Sequence, residues 1–188
     1  GVPVLAVSNT AGGITEIGDF IFRDSLTEAQ VIPQTVKAVK DKAGVKTGAL
    51  LYGNDDAFTK AGYDVMKQAM ADSGIQITTE QTFAKGDKDF AAQLTVIKNG
   101  NPDAVFVSAL IDEATGIVTQ ARRLGIDKPI VGGNGFNSPA LMQNAGNAAE
   151  GVIVGAAWNS ASTNPKSQDF IKNYRAKYNS DPDQFAAQ

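Results

Sequence analysis

Apolar positions along the chain fall into two alternating rhythms. The run Thr47-Gly48-Ala49-Leu50-Leu51-Tyr52-Gly53 is continuous and bounded by glycine, as a strand buried on both faces of a parallel sheet should be. Next, Ala61, Val65, Met66, Ala69 and Met70 share one helical stripe, which predicts a helix over about residues 57–73 that Gly74 stops. Residues 75–83 alternate as Ile75, Ile77, Thr79, Gln81, Phe83 and predict a strand exposed on one face. A helix is predicted from about Asp87, on Phe90, Leu94 and Ile97, and Asn99-Gly100-Asn101-Pro102 breaks it. A strand over 104–110 leads to a cap at Asp112 and a helix carrying Ile117, Ala121 and Leu124. A strand over 129–132 precedes Ser138-Pro139, an N-cap with proline at N1, and a strand over 151–157 closes the series. Strand starts near 47, 75, 104, 129 and 151 lie 22 to 29 residues apart, the spacing of βα units. The pattern predicts an α/β fold, a three-layer α/β/α doubly wound parallel sheet with right-handed crossovers.

Two flanks break this rhythm. Residues 1–23 predict two short strands, Val2–Val7 and Asp19–Arg23, around the loop Ser8-Asn9-Thr10-Ala11-Gly12-Gly13. Ser25-Leu26-Thr27-Glu28 then reads as a capping box for a helix to about Lys42, with Pro33 near its start. At the far end Asn164-Pro165 caps a helix whose stripe is Phe170, Tyr174 and Tyr178, read as a core stripe. Boundaries are expected near Asp24 and Trp158, dividing the chain into 1–23, 24–157 and 158–188. A strand with nothing before it and a helical turn at Asp183-Gln184-Phe185-Ala186 with nothing after it lead us to expect a piece of a longer chain.

Composition mostly excludes. The 188 residues hold no cysteine and no histidine, which removes disulfides, Cys/His zinc sites and Ser-His-Asp or Cys-His nucleophile pairs. A net charge of −3 leaves no footprint for nucleic acid. No dinucleotide, P-loop or nucleophile-elbow motif occurs. Lys85, Lys88, Arg122 and Arg123 read as solvated helix faces.

In an open parallel sheet, ligands bind beyond the carboxyl ends of the strands. Those ends here are Gly53-Asn54-Asp55-Asp56-Ala57-Phe58, Leu110-Ile111-Asp112-Glu113 and Gly132-Gly133-Asn134-Gly135-Phe136. Their acids, amide, glycine-backed N–H groups and apolar side chains suit a small polar molecule. Helix capping alone explains Asp55, Asp56 and Asp112, while Asp55-Asp56 would also suit Mg²⁺ in a phosphoacceptor domain.

Several segments resemble a known family. Pro3-Val4-Leu5-Ala6-Val7-Ser8-Asn9-Thr10, Phe20-Ile21-Phe22-Arg23-Asp24-Ser25, Gly86-Asp87-Lys88-Asp89-Phe90, Asn101-Pro102-Asp103-Ala104, Gln120-Ala121-Arg122-Arg123-Leu124-Gly125 and Gly146-Asn147-Ala148-Ala149-Glu150-Gly151 are similar, in order, to type I solute-binding proteins of ABC importers, in the Leu/Ile/Val-binding branch. The resemblance implies two α/β lobes joined by three crossings, closing on a solute. Residues 24–157 would be the second lobe, with 1–23 a remnant of the first and 158–188 a return into it. It implies no enzyme activity, no metal and no cofactor. The partners it implies are a small carboxylate-bearing ligand and a membrane permease, in a periplasmic or an extracellular, membrane-tethered setting.

By the same resemblance, Ser8 and Thr10 bind the ligand carboxylate, and Phe58 covers the ligand where relatives carry a tyrosine. A second aromatic position falls on Leu110-Ile111, which has no ring, and the acid that pairs with an α-ammonium falls on the neutral Asn134. Either Asp112 takes over the ammonium or the ligand has none. Phe136 completes the expected ligand-binding set. A sensing domain of a regulator with the same fold is the alternative.

Overall fold

The computed structural model describes all residues 1–188. A two-stranded parallel ribbon pairs β1 (Val4–Ala6) with β2 (Ile21–Arg23). Then follow α1 (Glu28–Ala43), β3 (Thr47–Gly53), α2 (Ala57–Asp72), β4 (Gln76–Phe83), α3 (Ala91–Gly100), β5 (Ala104–Ser108), α4 (Ile111–Arg123), β6 (Ile130–Gly132), α5 (Pro139–Ala145) and β7 (Val152–Val154). Two helices, α6 (Pro165–Tyr178) and the four-residue α7 (Gln184–Ala187), end the chain.

Strands β3 to β7 form one fully parallel sheet in the order β4-β3-β5-β6-β7. Alternation within the strands builds the two faces. Ala49, Leu51, Val105, Val107 and Ile130 pack with Leu94, Ile97, Ile117 and Leu141 from α3, α4 and α5. Leu50, Phe106 and Val131 point the other way, onto Ile32, Val36, Met66 and Met70 of α1 and α2. The result is the expected three-layer α/β/α doubly wound sheet. The strand order reverses between β3 and β5, so the loops after those strands open a crevice at the carboxyl edge.

Local signals that name a cap mostly hold. Asp56 accepts the N–H groups of Phe58 and Thr59, Ser138 caps α5 with Pro139 next to it, and Asn164 caps α6. Three expectations are corrected. The capping box that opens α1 is Thr27 with Gln30, not Ser25 with Glu28. Ser25 instead donates to the Asn9 carbonyl at 3.0 Å. Helix α3 begins at Ala91 rather than near Asp87, because the Gln120 side chain accepts the Phe90 N–H and donates to the Lys88 carbonyl, holding residues 88–90 out of the helix. Helix α4 is entered at Leu110, which leaves Asp112 as a first-turn acid rather than the cap.

Two further expectations fail on burial. Tyr178 is 55% exposed and only Ile171 of α6 is buried, so the aromatic stripe is a surface run of rings from Trp158 through Phe170 and Tyr174. Arg122 is not a solvated charge. Its guanidinium donates to the carbonyls of Ile126, Lys128, Ala148 and Glu150, tying the end of α4 to the entries of β6 and β7. A planar fork reaches that many acceptors, and an ammonium on a flexible stem does not. Arg122→Lys should therefore cost about 1–3 kcal/mol of stability in urea unfolding, the range for stranded buried polar groups; an unchanged midpoint would show that water serves those carbonyls as well.

Candidate functional site

The loop after β6 organises the carboxyl edge. Gly133 and Gly135 are there because neighbours come too close for a side chain. A Cβ on Gly133 would lie 2.9 Å from Glu28 Oε2, and one on Gly135 would lie 2.1 Å from the Ala109 carbonyl oxygen and 3.2 Å from the Phe58 ring. The glycines thus let one loop touch α1, the end of β5 and α2 together. The carboxylates of this edge are braced rather than gathered. Asp55 accepts the Lys85 N–H at 2.9 Å, Glu113 accepts the Gly86 N–H at 2.8 Å, and Asp56 caps α2. No three acidic groups converge as a metal would need.

The loop Ser8–Gly13 is held against this edge by three side chains. Arg23 donates to the Ala11 carbonyl at 2.6 Å, Ser25 to Asn9, and Glu28 meets Thr10 in a reciprocal pair. The Thr10 hydroxyl donates to Glu28 Oε1 at 2.9 Å, and the Glu28 N–H donates to the Thr10 carbonyl at 3.0 Å. Both residues are buried, Thr10 at 4% and Glu28 at 3% exposure.

Glu28 is the residue that sequence reasoning missed. Its second oxygen, Oε2, is buried without a hydrogen-bond partner. Burial pushes its carboxyl above the usual carboxylate range, against the opposing pull of the Thr10 hydroxyl and the Asn134 backbone N–H. The Thr10 hydroxyl meets the other oxygen, Oε1. As the first residue of α1, Glu28 also sits at the positive end of the helix dipole. The signal that could have singled it out is Gln30, a better partner for Thr27 three residues on, which leaves Glu28 without a capping task.

The expected site residues divide. Ser8 is half-buried and makes no side-chain hydrogen bond within the chain, so its hydroxyl is free. Thr10 is present but its proton is committed to Glu28. Phe58 lies half-buried at the start of α2, beside Gly135. Ile111 and Asp112 line a cavity of about 380 Å³ with Lys85, Gly135, Ser138 and Phe185. Only the oxygen of the Asn134 amide is taken: its Oδ1 accepts from Gln184, whose own Oε1 takes the Ala157 N–H at 2.8 Å and the Asn137 amide at 2.6 Å. Gln184 is 2% exposed and pins the last helix onto the loop after β6. Phe136 is 1% exposed, folded over Gly132 into the core, and reaches only the floor of a separate cavity beside Trp158 and Pro182.

Hydroxyls, backbone N–H groups and acids collect at the switch point of a doubly wound sheet, the place where domains of this architecture bind their ligands. The sequence profile of the family described as periplasmic binding protein matches residues 1–188, and the chain belongs to that family. It is 27% identical over 183 residues to the leucine-, isoleucine-, valine-, threonine- and alanine-binding protein of Pseudomonas aeruginosa, covering 97% of this chain and 48% of that one. The branched-chain amino acid transporter substrate-binding protein LivJ of Streptococcus pneumoniae, solved in complex with isoleucine, superposes with a TM-score of 0.88 at 33% identity, over 99% of this chain and 53% of that one. A solute-binding protein of an ABC transporter from Rhodopseudomonas palustris BisB5, solved with 3,4-dihydroxybenzoic acid, gives 0.83 at 25% identity, over 98% of this chain and 51% of that one. The chain spans about half the length of the curated relatives it matches. These relatives are solute-binding proteins, not enzymes.

The raised pKa of Glu28 fixes the sign of a pH effect. A folded state that favours the protonated acid is most stabilised below the ordinary value of 4.5 and loses that contribution as pH rises through the raised value. Glu28→Gln keeps the shape and removes the charge. It should gain roughly 1–3 kcal/mol of stability at neutral pH, the scale of an unsatisfied buried group, and the gain should disappear in mild acid. Urea unfolding of both proteins across that range checks this; a variant less stable than its parent at neutral pH would make the carboxylate a net stabiliser.

Proposed function

We propose that the protein is the extracytoplasmic solute-binding component of an ABC importer, closing on a small carboxylate and presenting it to a membrane permease. Residues 24–157 would form one lobe, and 1–23 with 158–188 would belong to the other, so that the solute sits between the carboxyl edge of β3–β7 and the partner lobe. The observation that carries this reading is the free Ser8 hydroxyl on a loop braced by Arg23, Ser25 and Glu28, together with Phe58 half-buried at the start of α2 and a cavity lined by Ile111 at the carboxyl edge of the sheet. Hydroxyls and exposed N–H groups in a loop are good carboxylate donors. Family membership and the isoleucine and dihydroxybenzoate complexes of similar proteins support a carboxylate as the shared feature of the ligands.

The setting would be periplasmic, or extracellular and tethered to the membrane. No helix here is long and apolar enough to cross a membrane. Calorimetric titration with a panel of branched-chain and aromatic amino acids and their amine-free acids tests the reading. Saturable one-to-one binding of at least one carboxylate is expected, weakened about tenfold or more by Ser8→Ala, since a hydrogen bond to a charged group contributes about 1.5–3 kcal/mol. Failure of every carboxylate in the panel to bind would overturn it.

A further inference from the structure

Two Asn-Gly pairs occur in the chain, Asn99-Gly100 and Asn134-Gly135, and the fold treats them differently. In such a pair the glycine nitrogen can attack the asparagine side-chain carbonyl, because the following residue has no Cβ to obstruct the approach. Gly100 is the last residue of α3, so its N–H belongs to the helical hydrogen-bond ladder. Gly135 lies instead in a single 3₁₀ turn, Asn134–Phe136, on the loop after β6. The bonds that close this turn run from the Phe136 N–H to the Gly133 carbonyl at 3.0 Å and from the Asn137 N–H to the Asn134 carbonyl at 3.1 Å. Neither uses the Gly135 N–H, which makes no hydrogen bond within the chain. The Asn134 Oδ1 accepts from Gln184, which draws electrons from the amide carbon, while Nδ2 has no partner to hold it back. Gly135 also lines the cavity of about 380 Å³, so water reaches the pair. A lone 3₁₀ turn, with its poorer hydrogen-bond geometry, opens more readily than a turn of α3.

We propose that Asn134-Gly135 is a self-modifying site, at which the chain converts a neutral amide into a carboxylate on the carboxyl edge of its sheet. The Gly135 nitrogen bonds to Asn134 Cγ and gives up its proton. The Cγ–Nδ2 bond breaks, and Nδ2 leaves as ammonia with its own two hydrogens and that proton. Water then opens the five-membered imide. Opening at Cγ leaves aspartate, and opening at the main-chain carbonyl leaves isoaspartate. The net exchange is one water in and one ammonia out, with nothing oxidised or reduced. The edge gains a negative charge next to the cavity that Gly135 lines, and in the aspartate form Gln184 donates to a charged acceptor, the stronger kind of hydrogen bond. The charge of this edge therefore depends on the age of the molecule. It also depends on pH, because the attacking nitrogen must lose its proton.

Peptide mapping by mass spectrometry, during warm incubation of the folded chain at neutral and mildly alkaline pH, tests this. The peptide holding Asn134 should gain its acid about fivefold or more faster than the peptide holding Asn99, the factor that one backbone hydrogen bond contributes. The rate should climb with pH. In guanidinium both glycine nitrogens are free, and the two peptides should convert at similar rates. Asn134→Gln, whose longer side chain does not close the five-membered ring, should remove the fast conversion and leave Asn99 unchanged. The comparison of the two peptides within the parent needs no variant, so the test stands even if Asn134→Gln folds poorly. An Asn134 that stays an amide in the folded chain, or converts no faster than Asn99, would overturn the inference. So would a ratio of rates that guanidinium leaves unchanged, since the local sequence and not the fold would then set it.

Discussion

Parallel pairing is the constraint from which the rest follows. Each strand from β3 to β7 runs the same way, so each crossover must return through a helix, and every loop that leaves a strand emerges on one edge. That edge collects Phe58 after β3, Lys85 after β4, Ile111 and Asp112 after β5, and the glycine loop after β6. The sheet therefore gathers, without any local instruction, residues up to some eighty positions apart. The loops on this edge have carboxylates and free backbone groups to offer, and their shape is set by how closely they can approach one another.

Close approach is where Gly133 and Gly135 matter. Removing two side chains lets the loop after β6 seal Glu28 against α1 and lie on Ala109 and Phe58 at once. The same loop accepts the Gln184 amide at Asn134, so the last turn of the chain is drawn onto the edge as well. The cost of this arrangement falls on Glu28, which is desolvated with one oxygen unmet.

How much of this was legible depended on whether a residue acts on its neighbours or across the chain. Asp56, Ser138 and Asn164 each cap the helix that follows within three residues, and each was readable. The continuous apolar run through Ala49, Leu50 and Leu51 announced a strand covered on both faces, and the spacing of the units announced the parallel sheet. Long-range bonds defeated the same reasoning. Glu28 looked like the far half of a box with Ser25, yet its carboxylate reaches back eighteen positions to Thr10. Arg122 looked like a solvated charge because the four carbonyls it serves lie on segments that only the fold brings near. Phe136 looked like a ligand platform because it follows a strand end, and it turned inward because Gly132 left room for its ring.

The account turns on one carboxyl group, and its ionisation is directly observable. Carbon-13 NMR of Glu28 across a pH titration measures it at the site. The expected result is a pKa above the ordinary carboxylate range. A Glu28 that titrates in the ordinary range or below it would contradict the claim that the loop after β6 holds this acid desolvated with one oxygen unmet.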